Sequence, residues 1–477
     1  MADILPFCGV RYNTAIVGDL ADVAAPPYDV ISPDEQEDLY ACNPKNVVRL
    51  ILSRDEDRYG SAATLFRQWL ADGTLIVDDR PSIYVYHQSF ADPVTGKMAP
   101  DRVGLVCLLK LEEYSTGKVL PHENTITSHK TDRLNLLRAS KAQFESIYGL
   151  YSDPDRSVES FLAEYDDREP VLEQIENMIG STHQIERITD PRAITVLQEL
   201  LRDKPIFIAD GHHRYETSLN YRREVRATDS ARDSFPSIAG RGGEERAGVG
   251  SETPPPPVSG GVARNEPGWV SAADYILITL TAFEDEGLLV LPTHRMVKGV
   301  DPALLAKLPA LLASDFHVEP VDRYEIELEI VKKAEGGQKA IGIILPEISY
   351  LATLKAGIDQ IPSMIDGLGS DALKQLDVTV LQRLILQDRL GITPDALAAG
   401  NVVTYTRSIG DALCAVDAGH CQAAFILGRP SVDDVRNVSL AGDKMPQKST
   451  FFYPKLLSGL ILRDLVNDAT FEELQGE

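Results

Sequence analysis

Cysteine is rare in this chain, and its pattern excludes several kinds of protein. The cysteines include no C-x-x-C pair; they are Cys8, Cys42, Cys107, Cys414 and Cys421. An odd number of scattered thiols argues against a disulfide framework and against a zinc ribbon. A G-x-G-x-x-G motif and a cysteine triad are also missing. We therefore expect no nicotinamide, haem, flavin or iron–sulfur cofactor.

The chain also has fewer basic than acidic side chains, and it has no long apolar run. The 47 basic and 72 acidic side chains give a formal net charge of -25, which argues against a general nucleic-acid-binding surface but leaves room for one local phosphate pocket. No apolar run approaches the length of a membrane helix, and the first residues lack the pattern of a signal peptide. We expect a cytoplasmic protein with no nucleic-acid or membrane partner. The sequence leaves the oligomeric state open.

What is present predicts an α/β (α+β) fold with two domains and one insertion. The 477 residues are 43% hydrophobic and can bury large cores. Helical and strand patterns alternate from Pro302 onward. We predict one domain over residues 1–224 plus 269–300 and a second over residues 301–477. Residues 225–268 are rich in Gly and Pro and poor in bulky apolar residues, which predicts a disordered insertion.

Several local patterns predict individual elements. Ser32 and Glu35 are spaced as a capping box, which predicts a helix immediately after Ser32. Two apolar segments, at 82–88 and 102–111, predict an antiparallel hairpin. The β-branched run at 46–52 predicts another strand, and the acidic stretch at 153–181 is interpreted as mostly helical.

The most informative stretch joins a buried strand to a helix. Residues 205–209 have the apolar pattern of a strand and residues 215–221 that of a helix. Between them lie five residues, hereafter the Gly211 turn: Asp210, Gly211, His212, His213 and Arg214. Free N–H groups at a helix start favour anions, an arginine fork suits phosphate oxygens, and histidines move protons near neutral pH. This turn is therefore the strongest candidate for a phosphate-handling site.

The segment from Gly211 to Glu216, GHHRYE, resembles the Gly-Cys-His-Arg-Tyr turn of sulfiredoxins and the Arg-rich turn of ParB nucleotide-binding domains. The resemblance implies a ParB/sulfiredoxin-like mixed-sheet core and a turn that holds nucleotide phosphates. His212 stands where the catalytic cysteine of sulfiredoxins would be, so sulfur chemistry is not implied. Free serine kinases with a ParB-like domain are relatives of this kind, and they imply serine as one possible acceptor.

A second resemblance covers nearly the whole chain. Five blocks resemble a bacterial and archaeal family called domain of unknown function 1015: residues 25–32, 122–125, 210–216, 291–295 and 445–450. The match is specific, but it implies little about function because the family is largely uncharacterised.

Polar residues outside the Gly211 turn are expected to complete one pocket. They are Tyr28, Asp29, His122, Glu123, His294, Arg295, Lys448, Ser449 and Thr450. His294, Arg295, Lys448, Ser449 and Thr450, together with Gly211 and Arg214, are the candidate phosphate or nucleotide contacts, and Lys444 and Lys455 add positive charge nearby. The segment 442–450 is close to a Walker A loop, but Gln447 replaces its second glycine and Pro446 removes a backbone donor. We therefore reject a P-loop.

These residues suggest a nucleotide-dependent phosphotransferase acting on a small hydroxyl metabolite such as serine. His212 or His213 would act as the base, and Asp29, Asp210 or Glu216 would hold Mg²⁺ for bound ATP or ADP. One alternative is a phosphohydrolase that uses His212 or His213. The other is a non-enzymatic nucleotide-binding switch. The metal ligands and the catalytic histidine stay undecided at this level.

Overall fold

Two β-sheets organise the protein. The computed structural model describes residues 2–125, 127–176, 180–233, 271–367 and 369–468. Within these ranges a nine-stranded sheet is built mainly from the first 282 residues, and a six-stranded sheet is built from residues after 293. Helices accompany both sheets, so the predicted mixed α/β fold class is confirmed.

The nine-stranded sheet mixes parallel and antiparallel neighbours. Its strands, in spatial order, are Val119–Leu120, Ile206–Asp210, Ile147–Tyr151, Tyr275–Ala282, Arg102–Lys110, Ile83–Ser89, Thr182–Ile188 and Glu169–Glu176, with Ile4–Leu5 paired to Arg102–Lys110. Two of the pairs are parallel, Ile206–Asp210 with Val119–Leu120 and Tyr275–Ala282 with Ile147–Tyr151. The central strand Ile147–Tyr151 is buried at every position, as expected for a strand covered on both faces.

The six-stranded sheet is antiparallel throughout. In spatial order its strands are Phe316–Val321, Ser349–Leu354, Ala340–Ile344, Ala423–Ile426, His294–Val297 and Val403–Thr406. Three two-stranded ladders pair Val10–Tyr12 with Leu75–Val77, Leu289–Leu291 with Phe451–Tyr453, and Ala142–Gln143 with Arg463–Asp464. The last two ladders return the end of the chain to earlier segments. The predicted domain division stays a prediction.

Helices accompany the sheets, and one of them, His212–Asp233, begins within the Gly211 turn. Within the described residues they are Thr14–Val17, Pro33–Cys42, Val48–Ile51, Arg58–Ala71, Thr127–Ser140, Ser157–Glu164, Pro191–Leu201, His212–Asp233, Pro302–Leu312, Ile326–Glu335, Ile361–Met364, Asp371–Lys374, Asp377–Val380, Pro394–Ala399, Ile409–Asp417 and Val432–Leu440. Leu381–Gln387 is a π-helical segment. None of the helices in the described ranges is long and apolar enough to cross a membrane.

Two local predictions are confirmed and two are wrong. The capping box joins Ser32 and Glu35 as expected, and the predicted hairpin is the Ile83–Ser89 and Arg102–Lys110 pair. The run at 46–52 is instead a short helix, because the Asn46 side chain accepts from Val48 N at 2.9 Å and donates to two backbone carbonyls of residues 22 and 24. Tertiary hydrogen bonds thus override its β-branched pattern.

The stretch at 153–181 also differs from the helical interpretation. A helix covers only Ser157–Glu164, and Glu169–Glu176 is an edge strand paired with Thr182–Ile188. The helix that begins at His212 continues to Asp233, beyond the predicted start of the insertion at Val225. The remainder of the predicted insertion lies outside the described residues.

Candidate functional site

Gly211 makes a turn that other residues fit poorly. Its φ is +91°, in the region that favours glycine. A Cβ atom at this position would lie 2.8 Å from Ile147 Cγ2 in the neighbouring strand. The Gly211 carbonyl accepts from Tyr215 N at 3.0 Å, which begins the helix directly after the strand Ile206–Asp210. The turn therefore presents the start of the helix His212–Asp233 at the end of a buried strand.

Asp210 is held between two cations. Its Oδ2 atom accepts from Arg214 Nη2 at 2.9 Å, and its Oδ1 atom accepts from Lys455 Nζ. Burial favours the protonated form of Asp210, but Lys455 and Arg214 act against it, and the pKa of Asp210 is lowered to about 2. Asp210 is therefore a fixed negative charge that positions Lys455 and Arg214 beside the helix start.

Arg214 is largely engaged within the protein. Besides Asp210, its guanidinium donates from Nη1 to the Ser146 carbonyl at 2.8 Å. Its Nε is buried with no hydrogen-bond partner among the described residues. Burial tends to lower the pKa of Arg214, but the nearby carboxylates of Glu145, Asp210 and Asp29 raise it overall. Lys455 uses one of its three N–H donors on Asp210, which leaves two for a ligand phosphate.

His122 and His212 form a buried pair with defined roles. His122 Nδ1 lies 2.7 Å from the Ile208 carbonyl, which can only accept, so this nitrogen carries the proton and Nε2 accepts from Thr450 Oγ1 at 3.0 Å. His212 Nε2 accepts from the backbone N–H of His122 at 3.2 Å. Burial lowers the pKa of His122 to about 4 and the pKa of His212 well below its usual value. Both rings are neutral at pH 7, and their hydrogen bonds connect residue 122 to residues 208, 212 and 450.

His213 is the more accessible histidine of the turn. It is partly exposed, whereas His212 is 4% exposed, and its ring lies 5.1 Å from that of His129. Burial, followed by the His129 ring, lowers the pKa of His213 to about 4, while Asp29 and Glu216 act in the opposite direction. An unprotonated, accessible imidazole can accept a proton.

The predicted residues Tyr28 and Asp29 lie near the Gly211 turn. The backbone N–H of Tyr28 donates to Glu145 Oε1 at 3.0 Å, and the Arg133 guanidinium lies 4.0 Å from the Tyr28 ring centroid. Asp29 is exposed, and its charge acts on both His213 and Arg214. The charge effects place residue 29 near the Gly211 turn, and Glu145 connects Tyr28 to the surroundings of Arg214.

Two of the three carboxylates proposed for Mg²⁺, Asp210 and Glu216, are already engaged, whereas Asp29 is exposed. Both oxygens of Asp210 accept from cations, and Glu216 Oε2 accepts from Thr125 Oγ1 at 2.7 Å and Lys130 Nζ at 2.9 Å. No cluster of three or more metal-ligating side chains occurs among the residues that the structure describes. The donor set therefore does not fit a magnesium ion held by Asp210 and Glu216.

The segment 445–450 closes the turn from the other side. Met445 N donates to the His122 carbonyl at 2.8 Å, and Lys448 N donates to Glu123 Oε1 at 3.3 Å. Burial raises the pKa of Glu123. Ser449 donates to the Pro446 carbonyl. The segment leads into the strand Phe451–Tyr453 and not into a helix, in agreement with the rejection of a P-loop.

Arg295 and His294 point to different surroundings. Arg295 Nη2 donates to the Lys448 carbonyl at 3.0 Å, and its guanidinium lies 5.4 Å from the Tyr405 ring centroid. Burial lowers the pKa of Arg295 to about 10. His294 Nδ1 instead accepts from Leu427 N at 3.2 Å, inside the six-stranded sheet. The structure therefore joins Arg295, but not His294, to the predicted cluster.

Sequence reasoning missed several supports of the cluster. Glu145 and His129 flank the Gly211 turn, but each lies in a segment without a recognisable motif. The bond between Lys455 and Asp210 joins residues 245 positions apart. Such contacts have no periodic signal in the sequence, because they depend on how distant strands and loops pack.

Comparison with known proteins gives one clear match and several weak ones. The family model described as a protein of unknown function, DUF1015, matches residues 4–379. No curated protein matches the sequence significantly.

Similar solved structures include a free serine kinase in complex with AMP (12% identity, 73% of this chain and 86% of that chain, TM-score 0.33). A conserved hypothetical protein from Pyrococcus furiosus is also similar (14%, 77% and 97%, 0.32), as is SbnI with a C-terminal truncation from Staphylococcus aureus (8%, 78% and 94%, 0.34). With such low identities and TM-scores, these likenesses do not carry function over to this chain.

Proposed function

The chain belongs to the DUF1015 family of proteins of unknown function, and we propose that it binds a nucleotide and transfers a phosphoryl group to a small hydroxyl metabolite such as serine. The observation that carries the proposal is the Lys455–Asp210–Arg214 arrangement at the start of the helix His212–Asp233. It places two cations at a helix start, a combination that suits phosphate oxygens.

The accessible histidine supplies the second requirement of the reaction. In the proposed step, the acceptor hydroxyl oxygen forms a bond to phosphorus, the bond between phosphorus and the leaving nucleotide oxygen breaks, and the hydroxyl proton passes to His213. His213 is neutral in the ligand-free protein. A bound phosphate would raise the pKa of His213 and make it a stronger base. Lys455 and the helix start would stabilise charge on the transferring group.

The alternative phosphohydrolase would need a histidine that can attack phosphorus or donate a proton to the leaving oxygen. His212 fits this role poorly, because Nε2 accepts from the backbone of His122 and the ring is buried. His213 remains the candidate for either chemistry. A nucleotide-binding switch would use the same cations without turnover.

Two substitutions test the proposal. We expect His213→Gln to reduce transfer of phosphate from ATP or ADP to small hydroxyl compounds by roughly 100-fold, with nucleotide affinity nearly unchanged. Lys455→Gln should weaken nucleotide binding by about 10-fold or more, because it removes a charge-assisted contact to phosphate. The turn should stay folded, since Arg214 still pairs with Asp210. Phosphorus NMR would measure transfer and calorimetry would measure binding.

His317→Gln is the matched control, since His317 is exposed on the six-stranded sheet. It should change neither quantity. Nucleotide binding without transfer to any acceptor or to water would identify a switch. Transfer to water alone would identify a phosphohydrolase. Unchanged affinity in a folded Lys455→Gln protein would contradict the phosphate assignment.

A further inference from the structure

A cavity lies next to the segment 445–450, which contacts His122 and Glu123. It has a volume of about 370 Å³ and lies between the π-helical segment Leu381–Gln387, the strand Val403–Thr406 and residues 444–447. Asn124, which follows His122 and Glu123, is part of its wall. The volume falls within the range of small-molecule pockets, roughly 300–1,000 Å³. π-Helical segments are rare and often occur at functional sites.

The charged residues of this cavity all have the same sign. Arg295, Arg383 and Lys444 line it, and its wall contains no Asp or Glu. None of these three forms an ion pair within the described part of the chain, although the protein carries 72 acidic side chains. The hydrogen bonds of Arg295 and Arg383 to described residues go to backbone carbonyls, including the Asp366 carbonyl at 3.3 Å from Arg383 Nη2. A set of partly buried cations without counter-ions favours an anionic ligand.

An unused hydroxyl group provides an independent indication. Thr379 lines the cavity, is 1% exposed, and its Oγ1 has no hydrogen-bond partner among the described residues. A buried polar atom without a partner is costly, and a ligand that bonds to it removes that cost. The remaining wall is mostly apolar and includes Leu373, Val378, Leu381, Leu386, Leu397 and Val403.

We propose that this cavity binds a nucleoside phosphate, with Arg383, Lys444 and Arg295 facing the phosphate groups and the apolar wall covering the nucleoside. This inference deepens the proposed function by locating the nucleoside and its inner phosphate groups, with the transferred phosphoryl group left to Lys455 and His213, and it rests on that function for the choice of ligand. Met445 lines the cavity and donates to the His122 carbonyl at 2.8 Å. The cavity is therefore linked through Met445 to His122, whose backbone N–H donates to His212 Nε2 at 3.2 Å.

Titration calorimetry of the full chain with ADP in buffer without divalent cations tests the cavity. We expect Arg383→Gln and Lys444→Gln each to weaken ADP binding by about 10- to 100-fold, as expected for loss of a charge-assisted contact. Thr379→Val, which removes only the hydroxyl at nearly constant volume, should weaken binding by a smaller factor. Lys374→Gln is the matched control: Lys374 is next to the wall residue Leu373 but does not line the cavity, and its variant should bind ADP normally.

Thermal melting without ligand separates a binding role from a structural one. Removing one of several like charges, or a buried hydroxyl without a partner, should leave the melting temperature equal or higher. The inference requires variants that are at least as stable as the wild type and bind ADP more weakly. Equal loss of stability and affinity in all three variants would overturn it.

The outcomes for the cavity and for phosphoryl transfer are distinguishable. Weakened ADP binding in the cavity variants supports the inference even if no acceptor is ever phosphorylated, in which case only the proposed function fails. Normal ADP binding in Arg383→Gln and Lys444→Gln overturns the inference and leaves the Gly211 turn as the candidate site. Inorganic phosphate that binds as tightly as ADP, with the same sensitivity to substitution, would show a simple anion site and overturn the nucleoside part. Absence of ADP binding by the wild type would also overturn it.

Discussion

At the scale of single residues, Gly211 determines how the candidate site is presented. A side chain here meets both an unfavourable φ and the Ile147 side chain. We expect Gly211→Ala to reduce the free energy of unfolding by about 1–3 kcal/mol, because backbone strain and a close contact add. Urea unfolding measures this change.

Gly117 is the control for the backbone part of that effect. It has a φ of +69°, and no heavy atom would lie within 4 Å of an added Cβ. Gly117→Ala should therefore cost only the strain of the left-handed conformation, about 1 kcal/mol. Equal costs at both positions would show that contact with Ile147 does not constrain the turn.

At the scale of elements, the helix His212–Asp233 connects the site to the sheet and reaches into the predicted insertion. Arg226 Nη2 lies 2.6 Å from the buried Asp274 Oδ1, just before the strand Tyr275–Ala282. Arg138 also pairs with Glu224 across to the helix Thr127–Ser140. The ion pair of Arg226 stabilises the helix beyond Val225, where the composition of the sequence changes.

Two deletions test where the dispensable segment begins. We expect removal of residues 238–267, bridged by a short Gly/Ser linker, to leave the melting temperature nearly unchanged, because their composition predicts disorder. Removal of residues 225–268 should cost about 1–3 kcal/mol, since it leaves Asp274 without Arg226. Differential scanning calorimetry of both proteins measures the difference. A large loss in the shorter deletion would contradict the predicted disorder.

At the scale of the whole molecule, buried histidines connect stability to pH. Burial lowers the pKa of His122, His183 and His294 to about 4, from a usual value of 6.5. The unfolded chain takes up these protons below pH 6.5, whereas the folded protein resists them until about pH 4. The contribution of these neutral histidines to the free energy of unfolding should therefore be fully present above pH 6.5. It should be lost as the pH decreases from 6.5 to about 4.

The expected slope can be measured by denaturant unfolding between pH 7.5 and pH 5. Each histidine that is protonated only on unfolding contributes about 1.4 kcal/mol per pH unit. His122→Gln should reduce the slope, whatever its effect on absolute stability. His317→Gln, at an exposed position, should leave the slope unchanged. A flat profile in the wild type would show that these histidines do not remain neutral in the folded protein.

The local pattern of the sequence was sufficient for elements whose cause lies within a few residues. The capping box at Ser32 and the strand-to-helix passage at Gly211 follow from turn chemistry and apolar periodicity. The strands at 83–89, 102–110 and 275–282 follow from long runs that are buried in the sheet. The α/β fold class follows from the same patterns.

Only the tertiary structure decided which polar residues meet. It connected Lys455 to Asp210, seated His212 against the His122 backbone and left His213 accessible. It also placed His294 against Leu427 and formed a cavity lined by cations from distant segments. Hydrophobic periodicity shows which face of a helix or strand is buried, but only over a few neighbouring residues. The meeting of residues hundreds of positions apart is set by the packing of sheets and loops, for which a single sequence has no local signal.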